Sequence, residues 1–112
     1  MEKRALIIEF ADKELETLIL NHKSNDKRYR KLMSNATFLR DLDVVWAILR
    51  GITHTSELAM FRKLHYETLR YGLSGHSSVR IGYTSKYRLI FEELNGGIRI
   101  KLLEINEHYG DK

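Results

Sequence analysis

The segment Asn95-Gly96-Gly97 separates two alternating runs of residues, and no other feature limits the fold as firmly. Asn and Gly accept the positive φ that a tight reversal requires, so the segment predicts a hairpin. Before it, the run Lys86 to Glu93 places Tyr87, Leu89 and Phe91 on one face and Arg88 on the other. After it, Ile98 to Ile105 places Ile98, Ile100 and Leu102 on one face and Arg99 and Lys101 on the other. A third run sets Val79 and Ile81 against Arg80 and is joined to the first by a turn from Tyr83 to Lys86. Together these runs predict adjacent strands with one apolar and one basic face. Leu103 and Ile105 fall on the basic side of that register, which predicts a bulge, or a partly covered face, near the end of the last strand.

The first half of the chain reads differently. Arg4 to Phe10 is a compact β-branched and aromatic run and predicts a strand. Asp12 is an N-cap candidate for a helix carrying Leu15, Leu18 and Ile19 and ending near His22, with Glu14 and Glu16 in its first turn complementing the helix dipole. Lys23 to Lys31 mixes turn formers with cations and predicts a loop. A second helix follows from Phe38, Leu39, Leu42, Val45, Trp46 and Leu49, with Ser34 or Asn35 as cap, Gly51 at C′ and Trp46 in the core stripe. Leu58 to Phe61 adds one helical turn. The order β-α-α-β-β-β predicts a single α+β domain over residues 1–112, two helices packed on one face of a mostly antiparallel sheet.

A chain of 112 residues buries enough surface for one modest core. Its net charge of +4 favours a polyanionic or acidic partner. It has no cysteine, hence neither disulfides nor thiolate metal sites, and no run approaches the ~20 apolar residues of a membrane span, so a cytoplasmic protein without a membrane partner is expected. Gly72, Gly75 and Gly82 form no dinucleotide or phosphate-loop pattern and the histidines no metal spacing, so no cofactor or metal is expected.

From Thr68 to Phe91 there is no acidic residue, while Arg70, His76, Arg80, Lys86 and Arg88 are interleaved with Tyr71, Tyr83 and Tyr87. Basic and aromatic groups without acids suit phosphates and stacked bases. His108 and Tyr109 lie just beyond the last strand. A histidine with an ordinary pKa near 6.5 can donate a proton at neutral pH, a carboxylate can accept one, and arginines can stabilise the charge of a developing phosphorane. Those are the requirements of RNA cleavage by acid-base catalysis.

The segment ETLRYGLSGHSSVRIGYTSKYRLIFEE and the closing EINEHY resemble the RelE/HigB superfamily of type II toxins, in which a Leu-x-Gly segment, a Ser-x-Arg-Ile strand, a Tyr-Arg-Leu strand and a terminal His-Tyr recur. The match is strongest from Leu64 to Tyr109. The resemblance implies a ribosome-dependent endoribonuclease that cuts mRNA in the ribosomal A site and is held inactive by a cognate antitoxin, a small helix-turn-helix protein. It further implies a base at Glu67, as in YoeB-like members, or at His65, since the LHYETL segment is closer to HigB-like members. Arg80 and Arg88 would hold the phosphate, with His108 and Tyr109 completing the catalytic set. Arg70, Tyr71, Lys86, Arg99 and Lys101 would bind RNA. No Asp precedes His108, a departure from the HigB-like ending. The other readings are a ParE-like toxin, which inhibits a topoisomerase by protein contact and needs no acid-base pair, and an inactivated homologue kept only as a partner.

Overall fold

The computed structural model describes residues 4–68, 75–83 and 85–107. Five strands, β1 (Ile7–Phe10), β2 (Glu67–Thr68), β3 (His76–Arg80), β4 (Arg88–Leu94) and β5 (Arg99–Asn106), form one sheet in the order β1-β5-β4-β3-β2. Only the β1–β5 pairing is parallel. The expected α+β class is observed, and the two-residue β2 is an additional strand too short for periodicity to reveal.

Helix α1 (Lys13–Asn21) starts at Asp12, whose carboxylate accepts the Leu15 N–H at 2.9 Å, and ends at His22 in the left-handed conformation. Helix α2 (Ala36–Gly51) is capped by Asn35, which accepts the Phe38 N–H at 3.0 Å. Gly51 is its last helical residue rather than a left-handed C′ cap, and the extended Ile52 stops it. Leu15, Leu18 and Ile19 from α1, and Phe38, Leu42, Val45 and Leu49 from α2, join Val79, Leu89, Phe91, Ile100 and Leu102 in one buried cluster. Both helices therefore cover the same sheet face. Trp46 departs from the expected core position: it is half-buried at the rim, its ring 5.7 Å from Phe10 and beneath the Arg50 guanidinium.

The expected loop at Lys23 to Lys31 is in part a 3₁₀ helix, Lys27–Ser34. Tyr29 and Leu32, three apart, both enter the core, and that burial outweighs the turn-forming composition around them. The hairpin Asn95–Gly97 has positive φ at all three residues, as the sequence requires. The bulge is also present. Phe91 pairs with Leu102 but Ile90 with Glu104, so Leu103 is the extra residue of β5, and Ile105 returns to the helix-covered face opposite Leu89 instead of falling on the basic one.

Candidate active site

Strand alternation puts Ser78, Arg80, Arg88 and Ile90 on the face away from α1 and α2, and the register aligns them across strands. Glu67 pairs with Ser78, which pairs with Ile90, while Arg80 lies directly opposite Arg88. Two arginines set side by side repel unless an anion lies nearby.

Arg88 is held on several sides. Its Nε donates to Ser78 Oγ at 2.9 Å, and its Nη2 donates to the His65 carbonyl at 2.6 Å and lies 3.0 Å from Glu67 Oε2. The side chain is only 8% exposed, so Arg88 is a buried fork rather than the solvent-facing cation the alternation alone implies. The His65 carbonyl points at it because His65 closes the 3₁₀ turn Arg62–Leu64 in the left-handed region, with φ 44°. The His65 ring stands outside, its Nε2 3.9 Å from Glu67 Oε1, beyond hydrogen-bond reach. Half-exposed Glu67 thus presents one oxygen to Arg88 and the other towards His65 and solvent.

Arg80 donates from Nη1 to the Tyr83 carbonyl at 2.9 Å and makes no ion pair among the described residues. Among the described residues it is the arginine of this site without a carboxylate partner. Gly82, with φ 98°, carries the chain past Arg80 so close to α2 that an added Cβ would meet Asp41 Oδ2 at 2.6 Å.

The sequence-derived residues do not all converge. His65, Glu67, Arg80 and Arg88 do. Arg99 and Lys101 share the face but begin β5 opposite Leu94 and Glu92, roughly 20 Å and roughly 13 Å along the strand from Arg88 at ~3.3 Å per residue. Arg99 is 3.4 Å from Glu9. Lys86 pairs with Glu107 at 3.1 Å, which raises the Lys86 pKa through that hydrogen bond. Arg70, Tyr71, His108 and Tyr109 lie outside the described residues. Among the described residues, no group of three or more His, Asp or Glu is arranged to hold a metal ion, and no helix is long and apolar enough to cross a membrane.

Beside Arg80, a groove of about 570 Å³ runs between α2 and the turns at Thr55–Met60 and Arg62–Leu64. Val44, Met60, Phe61 and Tyr83 expose apolar surface along it, Met60 to 78%, and Arg62, Lys63 and Arg80 line it with positive charge.

A YoeB/ParE toxin from Agrobacterium tumefaciens superposes on this chain with TM-score 0.57 and 12% identity over 93% of this chain and all of that one. The fold is that of the RelE/YoeB-like toxins. Two structures of the YoeB-YefM complex from Staphylococcus aureus, one a heterotetrameric toxin-antitoxin assembly, match at TM-scores 0.49 and 0.48. Their identities are 18% and 17%, each over 95% of this chain and all of the other. No family model and no curated relative matches the sequence.

Two features of this site are not evident from the sequence. Ser78 is fully buried and orients Arg88, and its signal was that it shares strand parity with Arg80. On the opposite face Tyr66, Ser77 and Thr55 converge on Glu93, residues far apart in sequence that periodicity cannot connect.

Proposed function

We propose that this chain is the toxin of a type II toxin-antitoxin pair, a ribosome-dependent endoribonuclease that cuts mRNA in the A site. The observation that carries the reading is the placement of Glu67, His65, Arg80 and Arg88 on one face, a carboxylate 3.0 Å from Arg88 with a second arginine, Arg80, directly opposite Arg88 in the register and without an acidic partner among the described residues. Glu67 takes the proton from a ribose 2′-hydroxyl, and the resulting oxygen attacks the adjacent phosphorus in line. Glu67 is favoured over His65 because its carboxylate lies between Arg88 and solvent, whereas His65 meets Arg88 through its carbonyl. Arg80 and Arg88 stabilise the charge that builds on the phosphoryl oxygens. His108 protonates the leaving 5′-oxygen, and Tyr109 orients a base. The products are a 2′,3′-cyclic phosphate and a 5′-hydroxyl. A cognate antitoxin, a small helix-turn-helix protein, holds the toxin inactive.

Inducing the chain in cells and mapping mRNA 5′ ends tests the proposal. New 5′-hydroxyl ends within translated codons support it, and growth arrest with intact mRNA overturns it.

The apolar groove favours a second reading, since exposed Met60, Phe61 and Tyr83 suit a protein contact better than an RNA backbone. In that reading the chain is a ParE-like toxin that inhibits a topoisomerase. DNA supercoiling assays with purified toxin separate the two.

A further inference from the structure

One acid takes no part in the proposed chemistry yet lies directly behind the site. Glu93 points to the helix-covered face, where its carboxylate accepts three hydroxyl hydrogen bonds: from Thr55 Oγ1 at 2.7 Å, from Ser77 Oγ at 2.5 Å and from the Tyr66 hydroxyl. Thr55 and Ser77 are both 2% exposed, and the Tyr66 ring stacks on Phe91 at 6.4 Å. Burial acts to raise the Glu93 pKa, but the hydrogen bonds from Ser77, Tyr66 and Thr55 outweigh it and hold the carboxyl below its ordinary value. Burial and the bond to Glu93 together push Tyr66 up to about 12. The hydroxyl therefore stays a donor.

Tyr66 stands between His65 and Glu67, and it points the opposite way. Ser77 likewise precedes Ser78, the residue that receives the Arg88 Nε–H, and points the opposite way. One carboxylate thus fixes the back of both segments whose fronts form the site. At the front, Arg88 holds the His65 carbonyl and Glu67, and β2 lies at the edge of the sheet, paired with β3 among the described residues through Glu67↔Ser78 and Thr68↔Ser77.

We propose that Glu93, acting through Tyr66 and Ser77, is the positioning residue that sets Glu67 and His65 against Arg88. The importance of the geometry so set rests on the nuclease reading; the anchoring itself does not. Tyr66→Phe keeps the ring stacked on Phe91 and removes only the hydroxyl. It should speed hydrogen exchange at whichever of the Glu67 and Thr68 amides faces β3 and at the Arg88 Nε–H about tenfold or more, while Ile100 and Leu102 amides in the central strand stay within about twofold. Glu93→Gln should act at the same positions, and the double variant should be little worse than Glu93→Gln alone, because both changes break one connection. Tyr29→Phe is the control: it deletes a hydroxyl that accepts the Ile105 N–H at 3.3 Å and should leave β2 unchanged. In single-turnover cleavage on ribosomes, Tyr66→Phe should lower the rate about tenfold with affinity unchanged.

The two readouts separate the two claims. Faster exchange at β2 in a chain that cuts no RNA upholds the anchor and overturns the nuclease. Unchanged exchange at Glu67, Thr68 and Arg88 Nε in Tyr66→Phe overturns the anchor, even if the protein cleaves mRNA. Should Glu93→Gln fail to fold, Tyr66→Phe decides the question alone.

Discussion

Among the described residues the acceptors around Arg88 include a hydroxyl, a carbonyl and a carboxylate, and each sets what a substitution does. Arg88→Ala strands Ser78 Oγ and the His65 carbonyl, at a cost of about 1–3 kcal/mol in denaturant unfolding. Arg88→Lys is the sharper probe of chemistry, since it keeps the charge but loses the planar fork, and it should lower cleavage about 100-fold. Glu67→Gln should lower the single-turnover rate by a larger factor than His65→Gln if Glu67 is the base; the reverse order transfers that role to His65. His108→Gln should slow cleavage ~10² to 10⁴-fold while ribosome binding persists, as expected for loss of a general acid. Of these side chains strand parity selected Arg88, whereas Glu67 and His65 were read from the resemblance, as was the role of His108, which lies outside the described residues. The depth of Arg88 was not legible in the sequence, because burial on the face away from the helices depends on Ser78 and on a turn ending in a left-handed histidine, neither of which alternation encodes.

At the scale of elements, the strands were legible because their patterns are long and their hairpin has only one good solution. Gly97 shows how tight that solution is. At φ 102°, an added Cβ would lie 2.6 Å from His54 Cε1 and 2.7 Å from Thr55 Oγ1, so Gly97→Ala should destabilise the fold by about 1–3 kcal/mol in thermal or denaturant unfolding. A loss within ~0.5 kcal/mol would mean that the hairpin does not pack on the Thr55–Met60 turn. Trp46→Ala should cost about 2 kcal/mol, less than the ~3–5 of a fully buried Trp, because the side chain lies at the rim between Phe10 and Arg50. The helical stripe placed Trp46 by its period alone, and that period cannot distinguish the centre of the buried face from its edge. The Lys27–Ser34 helix was hidden for a related reason: Tyr29 and Leu32 are its only two buried residues, set among cations that read as solvated.

Across the whole molecule, charge governs both stability and partner choice. Glu93 contributes stability that is fully present above its ordinary, unfolded-state pKa of 4.5 and is lost as pH falls through its lower folded value. Melting temperature followed from pH 7 to pH 3 should therefore fall more steeply for the parent than for Glu93→Gln, and parallel curves would remove Glu93 as a source of acid sensitivity. Partner choice is decided by cations that are not already neutralised. Arg99, Lys86 and Arg28 are paired with Glu9, Glu107 and Asp26, whereas Arg62, Lys63, Arg80 and Lys101 make no ion pair among the described residues. If three to five such contacts meet phosphates, the logarithm of affinity for ribosome or RNA should fall against log salt with a slope of about −2 to −3.5. A topoisomerase or other protein docked on the Met60–Phe61 groove would release few counterions and respond only weakly. A titration of binding between 50 and 200 mM salt therefore tests the nuclease reading without requiring turnover: a steep slope that Arg80→Ala reduces by about one contact supports it, and a flat response redirects the function to a protein target.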